Sequence, residues 1–329
     1  MSPLPIRQRG VALLVALLVV ALAVILIAAL LDRGELALAR TRNVLRSEQA
    51  EAYAQGLETY AAQILVTTAL NNGADTNASP WALPLPPQPV PGGMISATMR
   101  DLNGCFNLNN LGLGSLDVGA SLKIFQGLLT HLGIDPSLAE AVQSWMSANV
   151  GGDDASYYLA LPIPYRPRHG AFAHVSELRL VRGVSGDVYA RLAPYVCALP
   201  PGTTINVNTA SAPVLWSLDD TLSQTAAEKL WSNGQANYQE IGKFVTAAKA
   251  AGAMTVQTPS SLLAITSTYF LARGDIVLDD VPFTFYSLIE RGGSAGGIHV
   301  LERSRGSDDA LVAPAPVATP GRTGETTLR

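Results

Sequence analysis

Apolar positions are spread unevenly along the chain. From Val11 to Leu31 no residue is charged, proline or strongly polar. A run of about 21 residues, roughly 31 Å as a helix, is long enough to cross the hydrocarbon core of a bilayer. A secretory signal has a shorter apolar stretch, about 7–15 residues, followed by small residues at a cleavage site. Here Asp32 and Arg33 lead straight into more helical sequence. Residues 32–70 contain no proline and are rich in Ala, Leu, Glu, Arg and Gln, all good helix formers. Leu38, Val44, Leu45, Ala52, Leu57, Tyr60, Ala61 and Ile64 recur at near-helical spacing. One long helix is therefore expected to run from the apolar segment to the Asn, Gly, Asp and Pro cluster at 71–80.

The pattern then changes three times. The proline-rich stretch 81–93 reads as an irregular connector. Residues 94–111 read as a strand, a turn at Asn103-Gly104 and a second short strand. From 116 to 262, short amphipathic stretches separated by Gly, Asp and Pro predict an all-helical domain, with Trp145, Trp216 and Trp231 filling its core. Asp135-Pro136 is a helix start, and residues 176–183 read as helix, turn, helix. Alternation returns at 263–306, where Tyr269, Leu271, Ile276, Leu278, Phe283, Phe285 and Leu288 predict a β-meander. Residues 307–329 are low in complexity and are expected to be disordered. The class is α+β, with helices inserted between the early and late strands of one sheet.

Charge adds orientation and removes one partner class. Arg7 and Arg9 precede the apolar run and Asp32 follows it, so the positive-inside rule puts the N-terminus in the cytoplasm. The formal net charge is −4, which argues against nucleic acid, because duplex binding rests on clustered cations. The two cysteines are Cys105 and Cys197. In an oxidising compartment they can form a staple; two buried free thiols is the other reading. His131, His169, His174 and His299 are scattered, and no H-E-x-x-H, nucleophile elbow or phosphate loop is present. No catalysis is expected.

The junction Arg-Gln-Arg-Gly|Val-Ala-Leu-Leu-Val resembles a prepilin-type leader. The resemblance implies cleavage by a prepilin peptidase after Gly10, methylation of Val11, and retention of the apolar segment. Most such proteins carry glutamate at the fifth mature position; here that residue is Val15. An isolated carboxylate in apolar surroundings is costly unless it meets a cation, so its absence suits a subunit with no neighbour waiting, at a filament tip.

Further blocks follow in order: "DLNGCFNLNNL", "VSELRLVRGVSGDVYARLAPYVCALP", "INVNTASAPVLWSL" and "STYFLARGDI". With the leader they resemble the minor pseudopilin K family of the type II secretion system. The resemblance implies a pilin-like helix on an antiparallel sheet, with the helical domain, SAM-like or helix-hairpin-helix-like, inserted between strands. It divides the chain into a leader (1–10), a transmembrane or filament-core helix (11–31), a pilin-like helix with first strands (32–115), the insertion (116–262), the last strands (263–306) and the tail (307–329). It also implies an inner-membrane protein with its bulk in the periplasm. Its partners would be minor pseudopilins I and J, and its role to start and cap the pseudopilus that exports folded proteins. A related family loop is implicated in calcium binding. Here Ser147 and Asn149 stand where the family tends to have aspartates, leaving Asn149, Asp153 and Asp154 as a weak candidate site, since fewer charges bind calcium less tightly. The competing reading is a membrane-anchored periplasmic helix-hairpin-helix protein, a DNA binder or scaffold outside any filament. Residues 205–215 support it, but no Gly-x-Gly follows, and Asp219 and Asp220 stand where cations would help.

Overall fold

The computed structural model describes residues 9–71, 73–147, 153–253, 257–292 and 297–306. Helix α1 (Arg9–Asn71) is unbroken over 63 residues. Its distal half lies on a five-stranded antiparallel sheet of β1 (Leu85–Val90), β2 (Gly93–Asp101), β7 (Tyr269–Leu278), β8 (Val281–Arg291) and β9 (Ile298–Arg305), in that spatial order. Between β2 and β7 the chain forms α2 (Val118–His131), α3 (Leu138–Met146), α4 (Asp153–Leu159), α5 (Gly186–Leu192), α6 (Ala212–Trp216), α7 (Gln224–Trp231) and α8 (Ile241–Ala250). The same stretch holds four two-residue strands: β3 (Phe106–Asn107), β4 (Val196–Cys197), β5 (Ile205–Asn206) and β6 (Leu263–Ala264).

Local chemistry explains most of these elements. The β7–β8 hairpin closes through Asp279 and Asp280, both at positive φ, the geometry of a two-residue type I′ turn. The β1–β2 hairpin closes through Pro91-Gly92, with Gly92 at φ +87°, as a Pro-Gly turn of type II requires. In α2, Asp117 caps the first turn by accepting from the Ala120 N–H at 2.9 Å. Ser121, Ile124, Phe125, Leu128 and Leu129 of α2 are buried at helical spacing.

The sheet is buried on both sides at one end. Phe270, Ile276, Leu278, Phe285 and Ile289 pack against Ala50, Ala54, Leu57, Ala61 and Leu65 of α1. On the other face Tyr269, Leu271 and Tyr286 join the core of the helical segment. Gly274 of β7 leaves room for the Leu57 side chain, since a Cβ there would lie 2.9 Å from its Cδ1 and push it aside.

Several sequence expectations need correction. The stretch 116–262 is not all-helical: β4 and β5 lie in it and pair in parallel with β3 and β6. Each ladder is only two residues long, too short for any alternation to register. The strand and short strand around Asn103-Gly104 exist but do not pair; β2 pairs with β7 and β3 with β4. The proline connector contains β1, which tolerates Pro86, Pro87 and Pro89 because it is an edge strand. Helix α3 starts at Leu138, not Asp135; Asp135 forms a turn before it by accepting from the Ser137 N–H at 2.9 Å. Trp145 is buried, but Trp216 and Trp231 are only half-buried at the core's edge. The tail at 307–329 lies outside the described residues.

Candidate assembly site

Every residue from Val11 to Leu45 is exposed, so this half of α1 projects free of the rest of the chain. Its apolar run makes it long and apolar enough to cross a membrane. The Gly10–Val11 bond lies inside the helix and not in a loop. Residues 1–8, including Arg7, lie outside the described residues. Val15 is exposed among other exposed apolar side chains, an environment that would penalise a lone carboxylate.

The other half of α1 is held by polar as well as apolar contacts. Arg46 bonds Asp279 at the tip of one hairpin (2.9 Å), and Gln49 bonds the Pro91 carbonyl at the tip of the other (2.9 Å). In the middle, Glu58 accepts from Arg303 Nε of β9 at 2.7 Å and from the Ser287 hydroxyl of β8. Burial pushes Glu58 upward, but the Arg303 and Ser287 hydrogen bonds outweigh it and leave its carboxyl below the ordinary value.

Where α1 ends, a buried cluster ties four segments together. Asp75 pairs with Arg291 of β8 and accepts from the Ser267 N–H at 2.8 Å. Asp101, at the end of β2, accepts from the Asn103 N–H and from Asn206, Thr209 and Ser267 side chains. Burial pushes Asp101 up to about 6, against those hydrogen bonds, and Asp75 adds to the rise. Arg291 also donates to the Ser267 carbonyl at 2.7 Å and lies over the Phe270 ring.

The asparagines of the two family-like blocks do structural work that sequence reasoning missed. Asn103 accepts from the Thr268 and Tyr269 N–H groups and donates to Thr204 O. Asn107 accepts from Leu199 N and donates to the Pro200 carbonyl, while Asn109 grips Phe172 through both its N–H and its carbonyl. Asn206 donates to Asp75 O, and Asn208 pairs with both backbone groups of Tyr238. Each amide replaces a strand partner that an irregular segment lacks. The one available signal was a density of Asn unusual for a core, at 103, 107, 109, 110, 206 and 208.

The structure joins Cys105 to Cys197, with Cα atoms 5.9 Å apart, beside the β3–β4 ladder. The histidines remain separate. His131 stacks on Trp216, with ring centroids 3.6 Å apart, and burial lowers its pKa. His169 Nδ1 lies 2.6 Å from the Ser147 carbonyl, His174 caps a 3₁₀ turn, and His299 stands on β9. Asn149 lies outside the described residues, as do the side chains of Asp153 and Asp154. Among the described residues no three His, Cys, Asp or Glu side chains gather as a metal site would require.

A long helix, apolar and free at one end and mounted on an antiparallel sheet at the other, defines a mixed α and β protein with a single-pass anchor. A family described as "Type II secretion system (T2SS), protein K" matches residues 104–201 and again 205–266. Type II secretion system protein K of Pectobacterium carotovorum is 34% identical, over 91% of this chain and 97% of that protein. Those of Aeromonas hydrophila and Pseudomonas aeruginosa are each 33% identical, over 87% and 91% of this chain and 94% and 93% of theirs. The chain belongs to the type II secretion system protein K family. Among solved structures it is similar to a chain of the GspK-GspI-GspJ complex of enterotoxigenic Escherichia coli, with a TM-score of 0.71 and 27% identity. That match covers 82% of this chain and 99% of the other.

Proposed function

We propose that this chain is the minor pseudopilin at the tip of the type II secretion pseudopilus. It joins minor pseudopilins I and J, and the complex initiates and caps the pseudopilus for export of folded proteins across the outer membrane. The observation that carries this is the fold-wide likeness to a chain solved within a GspK-GspI-GspJ complex. The apolar, uncovered half of α1 supports it: exposed side chains of this kind need lipid or other helices around them.

In this reading prepilin peptidase cuts between Gly10 and Val11. Residues 11–31 hold the subunit in the inner membrane before assembly, with the N-terminus cytoplasmic and the bulk periplasmic. Val15 leaves no buried charge to satisfy. The work is assembly, not catalysis. Residues 116–262, with α6, α7 and α8 as a helix-hairpin-helix-like core, form an inserted unit that blocks addition of a further subunit. Nucleic acid is not expected as a partner: the formal net charge is −4, and the exposed Asp220 beside the 205–215 segment would repel phosphate. Calcium on Asn149, Asp153 and Asp154 remains a proposal; calorimetric titration of Asp153→Ala against the unaltered chain checks it, and equal heats from both discard it.

The test is made in cells carrying prepilin peptidase and pseudopilins I and J. Mass spectrometry of the membrane-extracted chain is expected to show a methylated Val11 N-terminus, and affinity purification to bring down both partners. Substituting Gly10→Leu is expected to leave the leader attached. An unaltered chain that starts at Met1, or that purifies alone, contradicts the proposal.

A further inference from the structure

The two edges of the five-stranded sheet are finished differently. β1, at one edge, carries Pro86, Pro87 and Pro89, and proline blunts an edge by removing donors that another strand would use. β9, at the other edge, contains no proline. It pairs with β8 on one side and, among the described residues, with no strand on the other. The β8–β9 ladder skips Leu301, so the regular run of the edge is Glu302–Arg305. Side chains alternate along it. Arg303 and Arg305 turn towards α1 and are spent there on Glu58 and Glu51. Glu302 and Ser304 turn the other way and line a cleft between the sheet and the helical segment. The walls of the cleft include Leu102, Val175, Leu271 and Leu288, and its volume is about 150 Å³, about that of an apolar cavity that takes one benzene ring. Glu302 is exposed and pairs with no cation among the described residues.

We propose that this edge and cleft are a docking site for an extended segment of another protein, which adds as a sixth strand beside Glu302–Arg305 and places one apolar side chain in the cleft. The proposal stands apart from the reading of the chain as a minor pseudopilin. An open edge offers main-chain hydrogen bonds that an extended segment can match, and a pocket beside the edge selects the side chain. A helix cannot use the edge, because its backbone groups bond one another. Strand residues two apart share a face. The residue two places from the inserted one therefore stands on the Glu302 side, where lysine or arginine supplies the missing cation and an acidic residue is repelled. The occupant is thus extended, with an apolar residue and a cation two positions apart.

The experiment titrates the full-length chain in detergent with two labelled peptides, Thr-Val-Phe-Thr-Lys-Val-Thr and Thr-Val-Lys-Thr-Phe-Val-Thr, which carry the pair in either order. Saturable binding of at least one is expected. It should weaken at least tenfold when alanine replaces the phenylalanine, and at least fivefold when glutamate replaces the lysine. In Glu302→Lys the preference between lysine and glutamate peptides should reverse, while the urea midpoint of the chain stays where it was, since Glu302 is exposed. Amide exchange at 302–305 should slow at least tenfold with peptide bound. No saturable binding of either peptide, or binding blind to the phenylalanine, overturns the site. Unchanged exchange at 302–305 overturns strand addition, and an unchanged preference in Glu302→Lys overturns the part given to that carboxylate. Binding only to a chain shortened to end at Gly306 identifies residues 307–329 as the occupant, and self-association that the peptide reverses identifies a second copy; either overturns the choice of another protein.

Discussion

Replacing Arg291 with methionine is expected to lower the stability of the soluble fold by about 3–5 kcal/mol, the usual cost of stranding one partner of a buried ion pair. Methionine keeps the apolar stem over Phe270 and removes only the guanidinium. What remains is the Asp75 carboxylate, whose side chain is only 4% exposed, close to a second buried carboxylate at Asp101. The segments tied there are the end of α1, the end of β2, the 205–209 loop and the 265–268 loop, so the loss is felt globally. Urea unfolding at pH 7 measures it, and a drop under about 1 kcal/mol would mean that water already reaches the pair. The double variant Asp75→Asn, Arg291→Met is expected to recover part of the loss, since the stranded Asp75 charge is then removed along with its partner.

The same cluster sets a pH signature. Asp101 in the folded state sits at about 6, against an ordinary value of 3.8. The native state therefore holds this proton more tightly than the unfolded chain, and between those values it carries more protons. Its stabilising contribution is full below 3.8 and is lost as pH rises through about 6. That difference corresponds to roughly 3 kcal/mol in total. Asp101→Asn removes this slope, so the two unfolding curves should differ in pH dependence across that window.

Much of the architecture is written in side-chain period. The apolar span, the length of α1 and its end at Asn71, and the β7–β8–β9 meander follow from uninterrupted helix formers, from alternation and from turn residues. Which face of α1 meets the sheet is less legible. The contact is made by Ala50, Ala54 and Ala61 as much as by leucine, because a close helix–sheet approach favours small residues. Leu38, Leu45 and Tyr60, which look like core in the sequence, stay exposed. Long-range pairing is illegible for a different reason. Asp101 lies opposite Phe270 across the whole helical segment, and no local pattern encodes a partner that distant. The asparagine and aspartate cluster is invisible to hydropathy, since each such residue reads singly as a turn. Only the fold shows that their amides substitute for missing ladder bonds.

Reduction of the Cys105–Cys197 bond is the second large effect expected. The two cysteines are separated by 92 residues, and cross-linking a loop of that size removes enough unfolded-state entropy to stabilise by about 4.6 kcal/mol in the chain-entropy model. The bond also acts locally. The β3–β4 ladder beside it has two residue pairs, Phe106 with Val196 and Asn107 with Cys197, too few to hold the entry and exit of the helical segment together unaided. Asn107 and Asn109 reach the Leu199 carbonyl from the same place, so the covalent link and the amides brace one junction. The paired variant Cys105→Ala, Cys197→Ala is expected to unfold at a markedly lower urea concentration than the oxidised chain. Its folded population should be most depleted where the sheet meets the helices, which hydrogen exchange at Leu199 and Phe106 would register. Both cysteines are almost fully buried, so mild reductant should act on the native chain only slowly. If intact-mass measurement of the unreduced protein extracted from cells finds two free thiols, or if the alanine pair unfolds at the same urea concentration as the oxidised chain, the junction is held by its asparagines alone.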